Sequence, residues 1–311
     1  MRSTRLAVLG SGLLLVAACS TGGGATPAPT AAPPTAAPTA AATTAASIPA
    51  VVCVGAATTY LDWLNGDFQP DVADPIPSPS TTATDDLLAQ VQSSGKLRIS
   101  TDKDYAPQSF LQPDGTFVGF DIDVGTKIAE ALGVEAEFQH VDWDLITAGN
   151  WANRWDISVG SMTITTPRKD ILSFSQPYYY TPAYMAASTR SGITSLDQLP
   201  FTVPDDVTAT TLETDANCVE SIAAGRPEFD LLITSGTVID DAVANDQPIV
   251  KIGEPIYTED LAVAADRSGA DPAALMYQID QIIGQMHEDG TLTDLSEQWF
   301  DGADLTQSPT E

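Results

Sequence analysis

The chain has 311 residues and carries 42 acidic against 13 basic side chains, a formal net charge of −29. A surface this negative is repelled by nucleic acid and by anionic lipid headgroups, which excludes both as partners. Two histidines and three cysteines without ligand spacing fit no metal centre, and no cofactor is expected.

At the front, Arg2 and Arg5 precede an apolar run, Leu6–Leu15, that is too short to span a bilayer. "VAAC" closes the segment, which reads as an export signal. Small residues before a cysteine resemble the lipobox of bacterial lipoproteins. That resemblance implies a signal segment over 1–19 and a lipid-modified Cys19, holding the domain extracytoplasmically at the cell membrane. A plain signal peptide with an incidental cysteine is the alternative. Residues 20–47, rich in Thr, Ala and Pro, lack large apolar side chains and predict a flexible tether.

"VVCVGAATTYLDWLNG" (51–66) reads as a buried strand, a small-residue turn, paired threonines and an amphipathic helix, with no neighbour in sequence to pack on. Pro70, Pro75, Pro77 and Pro79 break the next stretch, 67–85. "KLRIS" (96–100) alternates as a strand, and a turn at Pro113–Asp114–Gly115 leads to a helix on which Val124, Ile128, Ala131 and Leu132 share a face. "EAEFQHV" and "WDISVGSMTIT" are further strands. Strands alternating with helices predict α/β layers with largely parallel sheets, and ligands in such folds bind beyond the carboxyl ends of the strands.

"GTFVGFDIDVGTKIAEALGV", "HVDWDLI", "WDISVGSMTITTPRKDILSFSQPYY" and "IIGQMHEDGTLTDLSEQWF" resemble, in order, signatures of the family-3 extracellular solute-binding proteins, the polar amino-acid receptors of ABC importers. The similarity covers 97–188 and, more loosely, 215–302. It implies a two-lobed periplasmic-binding-protein-like α/β fold of type II, with the ligand cleft between lobes. Residues 86–189 plus 259–303 would form lobe 1, and 304–311 a tail. The family's second lobe opens with a strand, a Thr-bearing turn and a helix, but the stretch after Leu199 lacks that unit. The front stretch matches it. We therefore expect lobe 2 from 48–66 plus 190–258, with 67–85 as the inter-lobe linker, an arrangement resembling circular permutation; an N-terminal extension packed on a depleted lobe is the alternative. Cys53 and Cys218 could then face one another and form a disulfide, against the alternative of two separate buried thiols.

The resemblance also implies a site. Arg168, near a helix start with Thr166 as N-cap and Pro167 at the first position, matches the residue that grips a ligand α-carboxylate with two parallel hydrogen bonds. Thr163 matches a second donor to that carboxylate, and Thr59 the lobe-2 donor. Gly160 and Ser161 match groups near the ammonium. Tyr105 and Trp143 match side-chain flanking positions, and Asp102 a polar contact. The family's second-lobe aspartate falls on Ser235 here, with Asp240, Asp241 or a one-residue shift as candidates to compensate. The expected function is capture of a small polar carboxylate-bearing solute, an amino acid or analogue, by a monomer that delivers it to an ABC permease. A cyclohexadienyl-dehydratase-like enzyme or a ligand sensor on the same fold are the alternatives. His140, in a predicted strand, and His287, on the final helix, read as structural.

Overall fold

A computed structural model describes residues 50–55, 60–79, 84–199, 207–212 and 214–308. The signal segment with Cys19, the tether and Thr59 lie outside those residues. The first described elements are β1 (Ala50–Gly55) and α1 (Tyr60–Asn65). After the proline-rich stretch come α2 (Leu87–Ser94), β2 (Lys96–Thr101) and a small meander of β3 (Asp104–Tyr105), β4 (Ser109–Leu111) and β5 (Phe117–Val118). Then follow α3 (Phe120–Leu132), β6 (Glu135–His140), α4 (Trp143–Thr147), β7 (Ile157–Thr163) and α5 (Thr166–Lys169). The long β8 (Leu172–Ser188) leads to β9 (Val207–Leu212), α6 (Asp215–Ala223), β10 (Leu231–Ser235) and α7 (Gly236–Ala244). The equally long β11 (Ile249–Asp266) leads to α8 (Ala273–Glu288) and α9 (Thr291–Trp299).

Eight strands form one sheet in the order β6-β2-β7-β11-β8-β10-β1-β9. The antiparallel pair β8 and β11 runs through the middle, and its register shifts between Ile252 and Tyr257. On one side β6, β2 and β7 are mutually parallel. On the other, β1 lies parallel to both β10 and β9, with Cys53 opposite Leu232 and Thr210. A strand covered on both faces should be continuously apolar rather than alternating. "VVCV" obeys that rule: Val52 and Val54 pack with Leu231 and Ile233, whereas Cys53 packs with Cys218, Ile222 and Leu232. All three β1 side chains are fully buried. At about 1.5–3 kcal/mol per valine, β1 contributes as a central strand. The lone strand of the sequence thus finds neighbours about 155 to 180 positions downstream in the chain.

Cys53 and Cys218 form a disulfide that joins β1 to α6 across 165 positions, with Cα atoms 5.7 Å apart. A larger core, with Ile99, Phe120, Val124, Ile128, Ile279 and Ile283 at its centre, sits between α3, α8 and the β2–β7 side of the sheet.

Between α1 and α2 the chain forms a strap. Phe68 stacks near Tyr257, with centroids 4.4 Å apart. Thr166 N donates to Gln69 O at 3.1 Å, and Asp71 N to Ile164 O at 3.2 Å. Lys169 Nζ donates to Val72 O at 2.8 Å and reaches Asp74 at 2.8 Å and Asp71 at 3.2 Å. Ile76 then packs on the larger core. Because Lys169 makes three of these contacts, Lys169→Ala should speed cleavage within 67–79 in limited proteolysis while the rest of the chain stays protected. An unchanged cleavage rate would show that the backbone pairing alone holds the strap.

Candidate functional site

The two sides of the sheet converge on a cavity. From the β2–β7 side come Asp102, Tyr105, Trp143, Gly160, Ser161 and Thr163, six of the residues expected from sequence. Tyr60, Thr214 and Asp215 come from the β1 side, and Glu259 from the long strand β11. No lysine or arginine lines it, among the described residues.

Each wall has a local cause. Asp102 follows the end of β2, where its Oδ1 accepts from the amides of Lys103 (2.6 Å) and Asp104 (3.0 Å). Trp143 opens α4. Ser161 sits in β7 with φ at 54°, a left-handed value that costs a non-glycine residue about 1–3 kcal/mol. A buried network compensates. Ser161 N donates to Tyr178 Oη, which donates to Asp121 Oδ1 at 2.7 Å. Ser161 Oγ donates to Asp121 Oδ2 at 2.8 Å and shares a 2.6 Å hydrogen bond with Tyr179 Oη. The Ser161 hydroxyl is therefore already engaged, and burial pushes the Asp121 carboxyl up to about 7.

Sequence reading missed Tyr60, Thr214, Asp215 and Glu259. Thr214 caps α6, its Oγ1 accepting from Asn217 N at 3.1 Å, which places Asp215 in the first turn. Gly55 N donates to Asp215 Oδ1 at 3.3 Å. A β-carbon at Gly55 would lie 2.8 Å from the Asp215 backbone nitrogen, so this end of β1 approaches α6 more closely than any side chain allows. Burial pushes Asp215 up to about 7; the Gly55 amide opposes that shift and Glu259 adds to it. Glu259 is only 4% exposed. Its Oε1 accepts from Thr163 Oγ1 at 2.6 Å and its Oε2 from Tyr60 Oη at 3.1 Å. It thereby bridges a strand of one side to a helix of the other. The one signal for it was period two: Glu259 shares the buried face of β11 with Leu261 and Val263, whereas Asp260 does not.

Three expectations need adjusting. Arg168 does not line the cavity. It stands behind Thr163, with Nη1 donating to the Thr163 carbonyl at 2.9 Å and the guanidinium 5.3 Å from the Trp143 ring centre. Burial lowers its pKa, and Glu259 opposes that shift. Its helix begins one residue off expectation, with Thr165 as N-cap and Thr166 as the first helical residue. Ser235 is buried outside the cavity, sharing hydrogen bonds with Thr181 (2.8 Å) and Thr237 (2.7 Å). Neither candidate replacement for it reaches the cavity, because Asp240 pairs with Lys251 at 2.7 Å and Asp241 lines a different one. Asp215 and Glu259 are the acids present. The histidines also lie elsewhere: His140 is paired with Asp142 at 3.6 Å, and His287 Nε2 contacts the Pro177 carbonyl at 2.9 Å.

A sheet crossed by two long strands, with a cavity walled from both sides of that crossing, defines a two-sided solute-binding architecture. Residues 97–302 match the family described as bacterial extracellular solute-binding proteins, family 3, and the chain belongs to that family. A Haemophilus influenzae protein described as a "probable amino-acid ABC transporter-binding protein" is 27% identical over 71% of this chain and 91% of its own length. The L-cystine-binding protein TcyJ of Escherichia coli is 27% identical over 72% of this chain and 90% of its own. Among solved structures, the ancestral amino acid-binding protein AncCDT-1, a precursor of cyclohexadienyl dehydratase, aligns with a TM-score of 0.60. It shares 28% identity and covers 68% of this chain and 99% of its own. The fold is that of the type II periplasmic binding proteins. Among the described residues no helix is long and apolar enough to cross a membrane.

Proposed function

We propose that this protein captures an amino acid or close analogue bearing a cationic nitrogen and delivers it to an ABC permease. The carrying observation is the cavity wall, which combines three acidic side chains, Asp102, Asp215 and Glu259, with the aromatic rings of Tyr60, Tyr105 and Trp143. Aromatic faces and carboxylates together favour a desolvated cation. Contacts from both sides of the sheet would favour the closed form, which the permease reads. Binding rather than catalysis is supported by relatives, matched over most of their length, that are described as binding proteins. Two further readings are ours. Residues 48–66 are the opening β-α unit of lobe 2, carried to the front of the chain; β1 lying between β10 and β9 supports this. Cys19 carries the lipid anchor, on the strength of "VAAC".

Mass spectrometry of small molecules released by denaturing the purified protein, with intact mass for acylation at Cys19, identifies solute and anchor. Thermal shift against α-amino acids and amines should then find a stabilising solute with a cationic nitrogen. Asp215→Asn should weaken it roughly 10- to 100-fold, the worth of a charge-assisted hydrogen bond. Stabilisation only by anionic or neutral solutes would overturn the reading.

A further inference from the structure

Thr163, one of the donors expected to receive a solute carboxylate, already holds one, and Tyr60 shares it. Thr163 Oγ1 donates to Glu259 at 2.6 Å, Tyr60 Oη does so at 3.1 Å, and the Arg168 guanidinium stands close enough for Glu259 to stabilise its charge. A solute carboxylate seated there would be buried against Glu259, and like charges brought together cost several kcal/mol. We propose that Glu259 is the specificity-determining residue of this cavity. It supplies from the protein the carboxylate that Thr163 and Tyr60 bind, and so turns the inner cavity into a seat for the solute's cationic nitrogen. This proposal rests on the amino-acid or amine reading above and assigns the solute's orientation within it.

Two features agree with this orientation: the sizes of two neighbouring cavities and the place of Lys103. The inner cavity encloses about 30 Å³, room for a compact head and no more. A second cavity of about 420 Å³ shares Tyr105 and Asp215 as walls, and Phe110, Val219 and Val238 give it apolar surface for a carbon chain. Lys103 lines this outer cavity and is the one lysine or arginine lining either, among the described residues. Asp104, 3.7 Å from Lys103, and Glu220 and Asp241 share that lining, but Lys103 is the cation there that a solute carboxylate can reach, so the carboxylate points outward and the cationic head inward.

The test is calorimetric titration of the purified protein with L-lysine, cadaverine and Nε-acetyl-L-lysine. Where the released solute is a different cation, its decarboxylated and N-acylated forms replace them. Cadaverine should bind within about tenfold of lysine, and the acetylated form at least about 100-fold more weakly. Glu259→Gln should weaken lysine and cadaverine alike by at least about tenfold, whereas Glu259→Asp, which keeps the charge, should restore part of the loss. Lys103→Ala should weaken lysine, whose carboxylate loses its cation, and tighten cadaverine, whose outer ammonium loses a like-charged neighbour. Tighter lysine binding by Glu259→Gln, with no binding of cadaverine, would make Glu259 a competitor of the solute carboxylate and overturn the proposal. Loss of lysine binding in Arg168→Ala, with Glu259→Gln unaffected, would overturn the orientation and leave the amino-acid reading standing. Failure of every cationic solute, with an anionic or neutral molecule released on denaturation, overturns both.

Discussion

Breaking the Cys53–Cys218 disulfide should lower the thermal midpoint by roughly 10 °C. The bond closes a loop of 165 positions, and chain entropy for a loop that long gives up to about 5 kcal/mol, with 2–4 kcal/mol more usual. For a domain of this size each kcal/mol is worth about 2–4 °C. The size of the effect follows from topology. β1 is a central strand whose sheet neighbours are far away in sequence, so without the bond the unfolded chain must close that loop afresh. The double variant Cys53→Ser, Cys218→Ser should show the loss in calorimetry, and reductant should reproduce it in the wild type. A re-ordered chain that starts at residue 67 and carries 48–66 between Leu199 and Val207 sharpens the test. Its disulfide would close a loop of only about thirty residues, and breaking it should cost roughly 1.5 kcal/mol less. Equal sensitivity in the two chain orders would rule out loop closure as the source. A re-ordered chain that cannot fold would count against 48–66 as the displaced opening of lobe 2.

Much of this was legible in the sequence because it is written in short periods. The continuous run "VVCV" signals a strand buried on both faces, and helical spacing at Val124 and Ile128 signals the face of α3 that meets the core. Six cavity residues lie at the ends of β2, β6 and β7 or just after them, where any α/β sheet presents its ligand groups. Illegible were the residues whose place depends on two segments meeting. Asp215 joins the cavity because Gly55 lets β1 approach the start of α6. Glu259 joins it because β11 crosses the sheet in a register that no local pattern fixes. Counting along the chain reached Ser235, a position buried outside the cavity and hydrogen-bonded to Thr181 and Thr237. Arg168 was found, but its neighbour Glu259 was not, and that neighbour changes what the arginine can grip.

The ligand-free protein should be more stable at pH 5 than at pH 8. Asp121 and Asp215 both stand at about 7 in the fold because burial disfavours their charge, against about 3.9 in the unfolded chain. Between those values the folded state holds up to two more protons than the unfolded one. Stability is therefore fully present below about pH 4 for these groups and is lost as pH rises through 7, by up to roughly 1.4 kcal/mol per pH unit for each. Carboxylates held low by hydrogen bonds, Asp266 and Asp304 among them, act in the opposite sense but only below about pH 4. They do not offset the trend from 5 to 8. Asp215→Asn should roughly halve the slope of thermal midpoint against pH, because the amide cannot ionise. The same proton couples to binding. A cationic nitrogen against Asp215 favours the ionised carboxylate, so capture releases a proton, and affinity should rise from pH 5 to about 7 and level off above it. Titrations in buffers of different ionisation enthalpy read that proton directly. A wild-type midpoint that is flat or rising between pH 5 and 8, or an Asp215→Asn variant with an unchanged slope, would show that this carboxylate is ionised in the empty cavity.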